Sequence, residues 1–245
     1  MSRDDLGTIA VVLGLGGLGA AFFLLRSRSG SPRERRPIAM PRGQRFLDIS
    51  GERILIFGDS LSHPGSDTGP TITDVKDRSL LSSAAPGVVL AALLLTSAPP
   101  AAAVRINARV GRSARSFLAG EKSLLADDEA WRPTKVIVML GTNDIDRGTG
   151  ASAIAQTKDA LRQIRDAYQA MGAEVVAVGP PSFQGGKYAQ GAPAVLAAMR
   201  EVFGADRVLD ARPLTVGAGR SSSGVHFTKA GAAQAGKQIA RALTR

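Results

Sequence analysis

Ile54-Leu55-Ile56-Phe57-Gly58-Asp59-Ser60-Leu61-Ser62 is the stretch that decides how this chain is read. An apolar, β-type run ends here in a serine and enters a loop rich in Gly, Ser and Asp, which is where a nucleophile would sit. A serine at a strand end usually just caps or turns the chain, so the reading depends on partners further along. Three segments supply them. Asn107-Ala108-Arg109-Val110-Gly111 closes a second strand-like segment, Gly141-Thr142-Asn143-Asp144 follows the apolar run Val136 to Leu140, and Gly224-Val225-His226-Phe227-Thr228 stands just before a C-terminal helical pattern.

The chemistry restricts the choice of partners. A serine hydroxyl is a poor nucleophile at neutral pH and needs an imidazole within hydrogen-bond reach to take its proton. The chain has two histidines. His63 lies in the polar loop after Ser60, where a surface or cleft-rim position is expected; His226 is the candidate base. Gly111 and Asn143 have ordinary readings, as a glycine required by positive φ and as turn chemistry after a strand. Asp59 and Asp144 are expected to hold loop backbone.

Together the four blocks resemble the SGNH, or GDSL, hydrolase family over residues 46–245. The resemblance implies a serine ester hydrolase that works through an acyl-Ser60 intermediate without a cofactor. Ser60 would be the nucleophile and His226 the general base, with the Ser60 N–H, the Gly111 N–H and the Asn143 side-chain amide as oxyanion donors. In that family an aspartate three residues before the histidine orients it, and here that position is Ser223. Loss of the carboxylate in a serine protease triad costs on the order of 10⁴-fold, yet oxyanion stabilisation and positioning survive, so a Ser-His dyad is weakened rather than abolished. Ser223 Oγ, a backbone carbonyl or a water is available to hold the imidazole N–H, and Asp210 is a remote carboxylate candidate. The same substitution leaves open a catalytically weak or silent relative, either a binding domain or a membrane-tethered assembly protein.

Strand-like runs at 53–57, 104–108, 135–140, 174–179 and 207–210 alternate with helical patterns near 86–97, 113–125, 152–171, 193–203 and 228–243. Such alternation predicts an α/β fold, a three-layer α/β/α sandwich with a mainly parallel five-stranded sheet. The blocks then fall on loops after strands, the usual ligand side of an open sheet.

Upstream the chain changes character. Residues 1–7 are a short flank, and 8–25 form an apolar run at the short end of what spans a bilayer, read as a transmembrane anchor helix. No small-x-small cleavage site precedes the arginines that follow, which argues against a cleaved signal. An uncleaved secretion signal and a helix buried against a partner protein are the other readings. Gly14, Gly16 and Gly19 match a dinucleotide fingerprint only formally, because no strand-turn-helix unit surrounds them.

Residues 26–45 form a basic linker with seven arginines and one glutamate, which carries most of the formal net charge of +10. Beside an apolar run this favours a membrane surface over nucleic acid, since the chain has one Trp and two Tyr and no aromatic-basic interleaving. Counting basic residues puts residues 46–245 on the cytoplasmic side. The resemblance points the other way, to the cell envelope. With no cysteine there is no disulfide and no thiolate metal site, and two histidines are too few for zinc. The polar loops His63 to Ser79 and Phe183 to Tyr188 favour a small acyl group, with an O-acetyl ester of a glycan or envelope polymer as the expected substrate. Arg109 and Arg112, which flank Gly111, are expected to be solvated unless they meet an anionic group. Nothing in the sequence indicates an oligomeric state.

Overall fold

The structure, a computed structural model, describes residues 47–65, 70–98, 100–118 and 125–244. The predicted N-terminal helix and the basic linker lie outside them. Among the described residues no helix is long and apolar enough to cross a membrane.

Six strands form one sheet: β1 (Arg53–Gly58), β2 (Pro70–Val75), β3 (Ala103–Arg109), β4 (Lys135–Met139), β5 (Glu174–Val178) and β6 (Val208–Leu209). Their order is β2-β3-β1-β4-β5-β6. All neighbouring pairs are parallel except β2 with β3. Between and after the strands come α1 (Pro86–Thr96), α2 (Ala114–Leu118), α3 (Leu125–Trp131), α4 (Thr142–Asp146), α5 (Ala151–Ala170), α6 (Gly186–Phe203), α7 (Arg212–Thr215) and α8 (Lys229–Leu243).

Strand periodicity makes the three layers. Ile54 and Ile56 of β1, Ile137 and Met139 of β4, and Val176 and Val178 of β5 point into one core with Leu90, Leu94 and Ile239, beneath α1 and α8. Their neighbours Leu55, Phe57, Val136, Val138, Val175 and Ala177 point into a second core with Leu161, Ile164, Tyr168 and Val195, beneath α5 and α6. Successive side chains alternate between faces, so continuous apolar strands require cover on both. α5 carries one buried face, including Ala160, Leu161, Ile164 and Tyr168. Gly236 lets α8 lie close on α1: a Cβ there would stand 2.7 Å from the Val89 side chain.

Four boundaries differ from the sequence expectation. The sheet has a sixth strand, β2, in the segment read as part of the polar loop. It is an edge strand on which, of residues 71–75, only Val75 is buried, so its apolar signal is faint, and it is pinned by Arg105 Nε donating to Asp74 Oδ1 at 2.6 Å across the β2–β3 pair. Of the helix expected over 113–125 the described residues include α2, and a helix that the sequence reading did not place, α3, begins at Leu125. α6 begins at Gly186 rather than 193 and runs through Pro193, so half of the second supposed loop is helix. The last strand is trimmed to two residues.

Candidate active site

At the end of β1 the chain turns sharply. Asp59 Oδ1 accepts from Leu61 N at 2.9 Å, and Ser62 N donates to Asp59 O at 3.0 Å. Gly87 N, in the first turn of α1, donates to Leu61 O at 2.9 Å, which ties this turn to a helix start. Ser60 stands half-buried at its tip. His226 Nε2 lies 3.0 Å from Ser60 Oγ across 166 residues of sequence.

The other two blocks reach the same end of the sheet. Gly111 follows β3 with φ of 75°, a left-handed turn that an L side chain resists. Asn143 sits in the first turn of α4, after Gly141 has reversed the chain with φ of 114°. Its Nδ2 donates to the Arg112 carbonyl at 2.9 Å, so the Asn143 and Gly111 loops are joined directly. A primary amide has a second hydrogen, which this bond does not use.

Arg112 corrects an expectation. It is not solvated but 1% exposed, with its guanidinium over the Phe57 ring at 4.4 Å. Nη1 donates to Gly58 O at 3.2 Å and Asn107 O at 2.9 Å, thereby stapling the ends of β1 and β3. His63 is a second correction: it is 4% exposed, its Nε2 lies 2.8 Å from Thr71 Oγ1 on β2, and its Nδ1 lies 2.9 Å from Gly65 O. It is a buried link between the Ser60 loop and the edge strand, not a surface residue.

Asp210 is occupied elsewhere. Arg212 binds both of its oxygens, Nε to Oδ1 at 2.9 Å and Nη2 to Oδ2 at 2.7 Å, and these bonds hold its carboxyl below the usual range against the opposing effect of burial. The residue beside the His226 ring is Ser223, whose Oγ stands 3.5 Å from Nδ1.

The hairpin bearing His226 is anchored by Arg220, which the sequence reading did not single out. Its guanidinium lies 3.4 Å from the Phe227 ring centroid, donates through Nη1 to Val225 O at 2.6 Å, and donates through Nη2 to Ser182 O. Burial lowers its pKa to about 10. Below the hairpin, Thr228 caps α8 by accepting from Gly231 N at 3.1 Å. Tyr188 packs on Phe183 and donates to Asp146 Oδ1 at 3.0 Å.

Asp59 and Asp144 act as loop scaffolding. Burial pushes the Asp59 carboxyl up to about 7. Asp144 accepts from Ala114 N at 2.8 Å and pairs with Arg115, but burial still outweighs these bonds and raises its carboxyl above the ordinary value. Among the described residues no group of three or more His, Cys, Asp or Glu could hold a metal ion.

Taken together, a serine and an imidazole in contact, and a glycine turn and an asparagine at neighbouring strand ends, define a serine hydrolase arrangement on an α/β/α sandwich. The family model of the GDSL-like Lipase/Acylhydrolase family matches residues 56–234. The chain belongs to that family, and with it to the carboxylic ester hydrolases. Among solved structures it is similar to an Axe2 mutant, an acetyl-xylooligosaccharide esterase from Geobacillus, at 16% identity and a TM-score of 0.60, covering 80% of this chain and 95% of that one. It is also similar to LAE5, an alpha/beta hydrolase enzyme from the metagenome of Lake Arreo in Spain, at 16% identity and a TM-score of 0.58, covering 82% of this chain and 100% of that one. At these identities the likeness is one of fold. Catalytic mutants of Axe2 among these structures replace a serine, a histidine and an aspartate three positions before that histidine. No curated protein sequence matches the chain.

Proposed function

We propose that this protein hydrolyses small acyl esters, with Ser60 as nucleophile and His226 as general base, and that acetyl groups on a glycan or envelope polymer are its substrates. The observation that carries the reading is the 3.0 Å contact between Ser60 Oγ and His226 Nε2. As Oγ attacks the ester carbonyl, Nε2 takes the hydroxyl proton. Negative charge then develops on the carbonyl oxygen, where the Ser60 and Gly111 backbone N–H groups and the unused Asn143 amide hydrogen are assigned as donors. Collapse breaks the bond to the alcohol, which leaves with the proton from Nε2. A water, deprotonated by the same nitrogen, releases the acid and regenerates Ser60.

The small acyl group and the acetyl and glycan assignment draw on the likeness to Axe2, an acetyl-xylooligosaccharide esterase. Residues 8–25 are proposed to anchor the chain in a membrane, a reading supported by their apolar run and the arginines after it; resistance of the full chain to alkaline extraction from membranes tests it.

One observation favours a second reading, a domain that binds esters with little turnover: Ser223 stands where Axe2 has its catalytic aspartate. Fluorophosphonate labelling decides between them. Labelling of the parent that disappears in Ser60→Ala and His226→Ala supports the hydrolase. A well-folded parent that neither labels nor hydrolyses p-nitrophenyl acetate supports the binding domain.

A further inference from the structure

We propose that Ser221 is a positioning residue that sets the tautomer of His226 through Ser223, replacing with two hydroxyls the directional part of a carboxylate's role. The proposal rests on the hydrolase reading and goes beyond it by assigning how a base without a carboxylate is kept in its reactive form.

The geometry is local and closed. Ser223 Oγ accepts from the backbone N–H groups of Val225 and His226, each at 3.3 Å, and lies 3.5 Å from His226 Nδ1. On its other side it lies 2.9 Å from Ser221 Oγ. Ser221 is itself fixed at both ends of its peptide unit: its N–H donates to His226 O at 2.9 Å, and its carbonyl accepts from Gly224 N at 2.9 Å. The two hydroxyls and the imidazole therefore belong to one turn.

Hydrogen-bond arithmetic gives this turn a direction. To take the proton of Ser60, Nε2 must be bare, so Nδ1 carries the ring hydrogen. The N–H groups of Val225, His226 and the ring then share the two lone pairs of Ser223 Oγ in three-centre bonds, and the hydroxyl hydrogen of Ser223 is left to donate to Ser221 Oγ at 2.9 Å. If that acceptor is removed, the Ser223 hydrogen is free to turn toward Nδ1. That bond favours the opposite tautomer, in which Nε2 carries the hydrogen and cannot act as base. Ser221 thus acts on the chemistry without touching Ser60 or substrate.

The experiment uses the full chain and two readouts. Ser221→Ala is expected to lower kcat about three- to tenfold with KM unchanged, the size of one lost hydrogen bond, while Ser221→Thr, which keeps the acceptor, retains the parent rate. In a Ser223→Asp background, where a carboxylate accepts from Nδ1, Ser221→Ala is expected to have no further effect. Nitrogen-15 spectra of the His226 ring should show a protonated Nδ1 in the parent and a shift toward protonated Nε2 in Ser221→Ala. The proposal is overturned if Ser221→Ala leaves the ring spectrum unchanged, or if its loss of kcat is as large in the Ser223→Asp background as in the parent. The ring spectrum needs no turnover, so a parent that fails to hydrolyse esters refutes the hydrolase reading separately while the tautomer assignment is still decided.

Discussion

The Arg112 guanidinium donates to the carbonyl of Gly58, the last residue of the strand that leads into Ser60, at 3.2 Å. Through its other contacts Arg112 also holds Asn107 O, and its own carbonyl holds Asn143, so one buried cation sets the spacing of three site loops. Arg112→Met keeps much of the apolar stem but leaves two buried carbonyls without this donor. The expected result is a loss of about 1–3 kcal/mol in denaturant unfolding. A fall in kcat larger than any change in KM is expected alongside it, because the donors proposed for the oxyanion would drift. Unchanged stability and kinetics would show that the loops hold their spacing without it.

Ser223→Asp tests the departure from the usual triad directly. The Ser223 Oγ stands 3.5 Å from His226 Nδ1, and an aspartate at this exposed position adds a charged acceptor to the ring hydrogen and a partner to the imidazolium formed during attack. Turnover of p-nitrophenyl acetate is expected to rise at least about tenfold, well inside the roughly 10⁴-fold effect of the carboxylate in serine proteases. An unchanged rate would mean that the missing carboxylate does not limit this enzyme.

How much of this was legible in the sequence depended on burial. β1, β4 and β5 are covered on both faces, so their residues are continuously apolar and stand out. β2 is an edge strand with Val75 as the one buried position among residues 71–75, and a loop rich in Thr and Asp conceals it. The Ser60–His226 contact spans 166 residues and was legible only because four weak blocks occur in one order. Arg112, His63 and Arg220 were misjudged or missed for a common reason. Arginine and a loop histidine read as solvated, and the carbonyls and rings that allow their burial lie on other elements.

Asp59 gives the fold a pH dependence with a definite sign. Its carboxyl is fully buried and raised from 3.8 to about 7. Between these values the folded state keeps a proton that the unfolded chain has released, so stability falls as pH rises, by about 1.4 kcal/mol per unit and by roughly 4 kcal/mol across the window. Burial raises Asp128 and Asp144 too, which adds slope of the same sign. Asp59→Asn keeps an oxygen for the Leu61 N–H and carries no charge. Urea unfolding between pH 4 and 8 should show a decline for the parent and a clearly shallower one for Asp59→Asn, with the variant the more stable at pH 8. Parallel curves would rule out Asp59 as the source.

Gly231 governs the placement of His226 through backbone contact. A Cβ there would stand 2.0 Å from Gly219 O and 2.7 Å from Gly219 N, atoms that no rotamer change moves. Gly219 O also receives Thr228 N at 3.0 Å, so this contact seats the start of α8 against the strand-like segment that leads into the His226 hairpin. Gly231→Ala must push the two apart, at a cost of about 1–3 kcal/mol in stability. The hairpin is also held by Arg220 at Val225 O, which precedes His226 in the chain as Gly231 follows it, so the displacement is expected to tilt the imidazole away from Ser60 rather than carry the whole hairpin with it. Fluorophosphonate labelling of Ser60 should therefore slow at a temperature where the variant remains folded. Gly224→Ala, at a positive φ of 69° with no atom within 4 Å of the added carbon, should cost backbone strain without that packing clash. If the two variants label Ser60 equally fast at equal stability, close contact at Gly231 is not what aims the base.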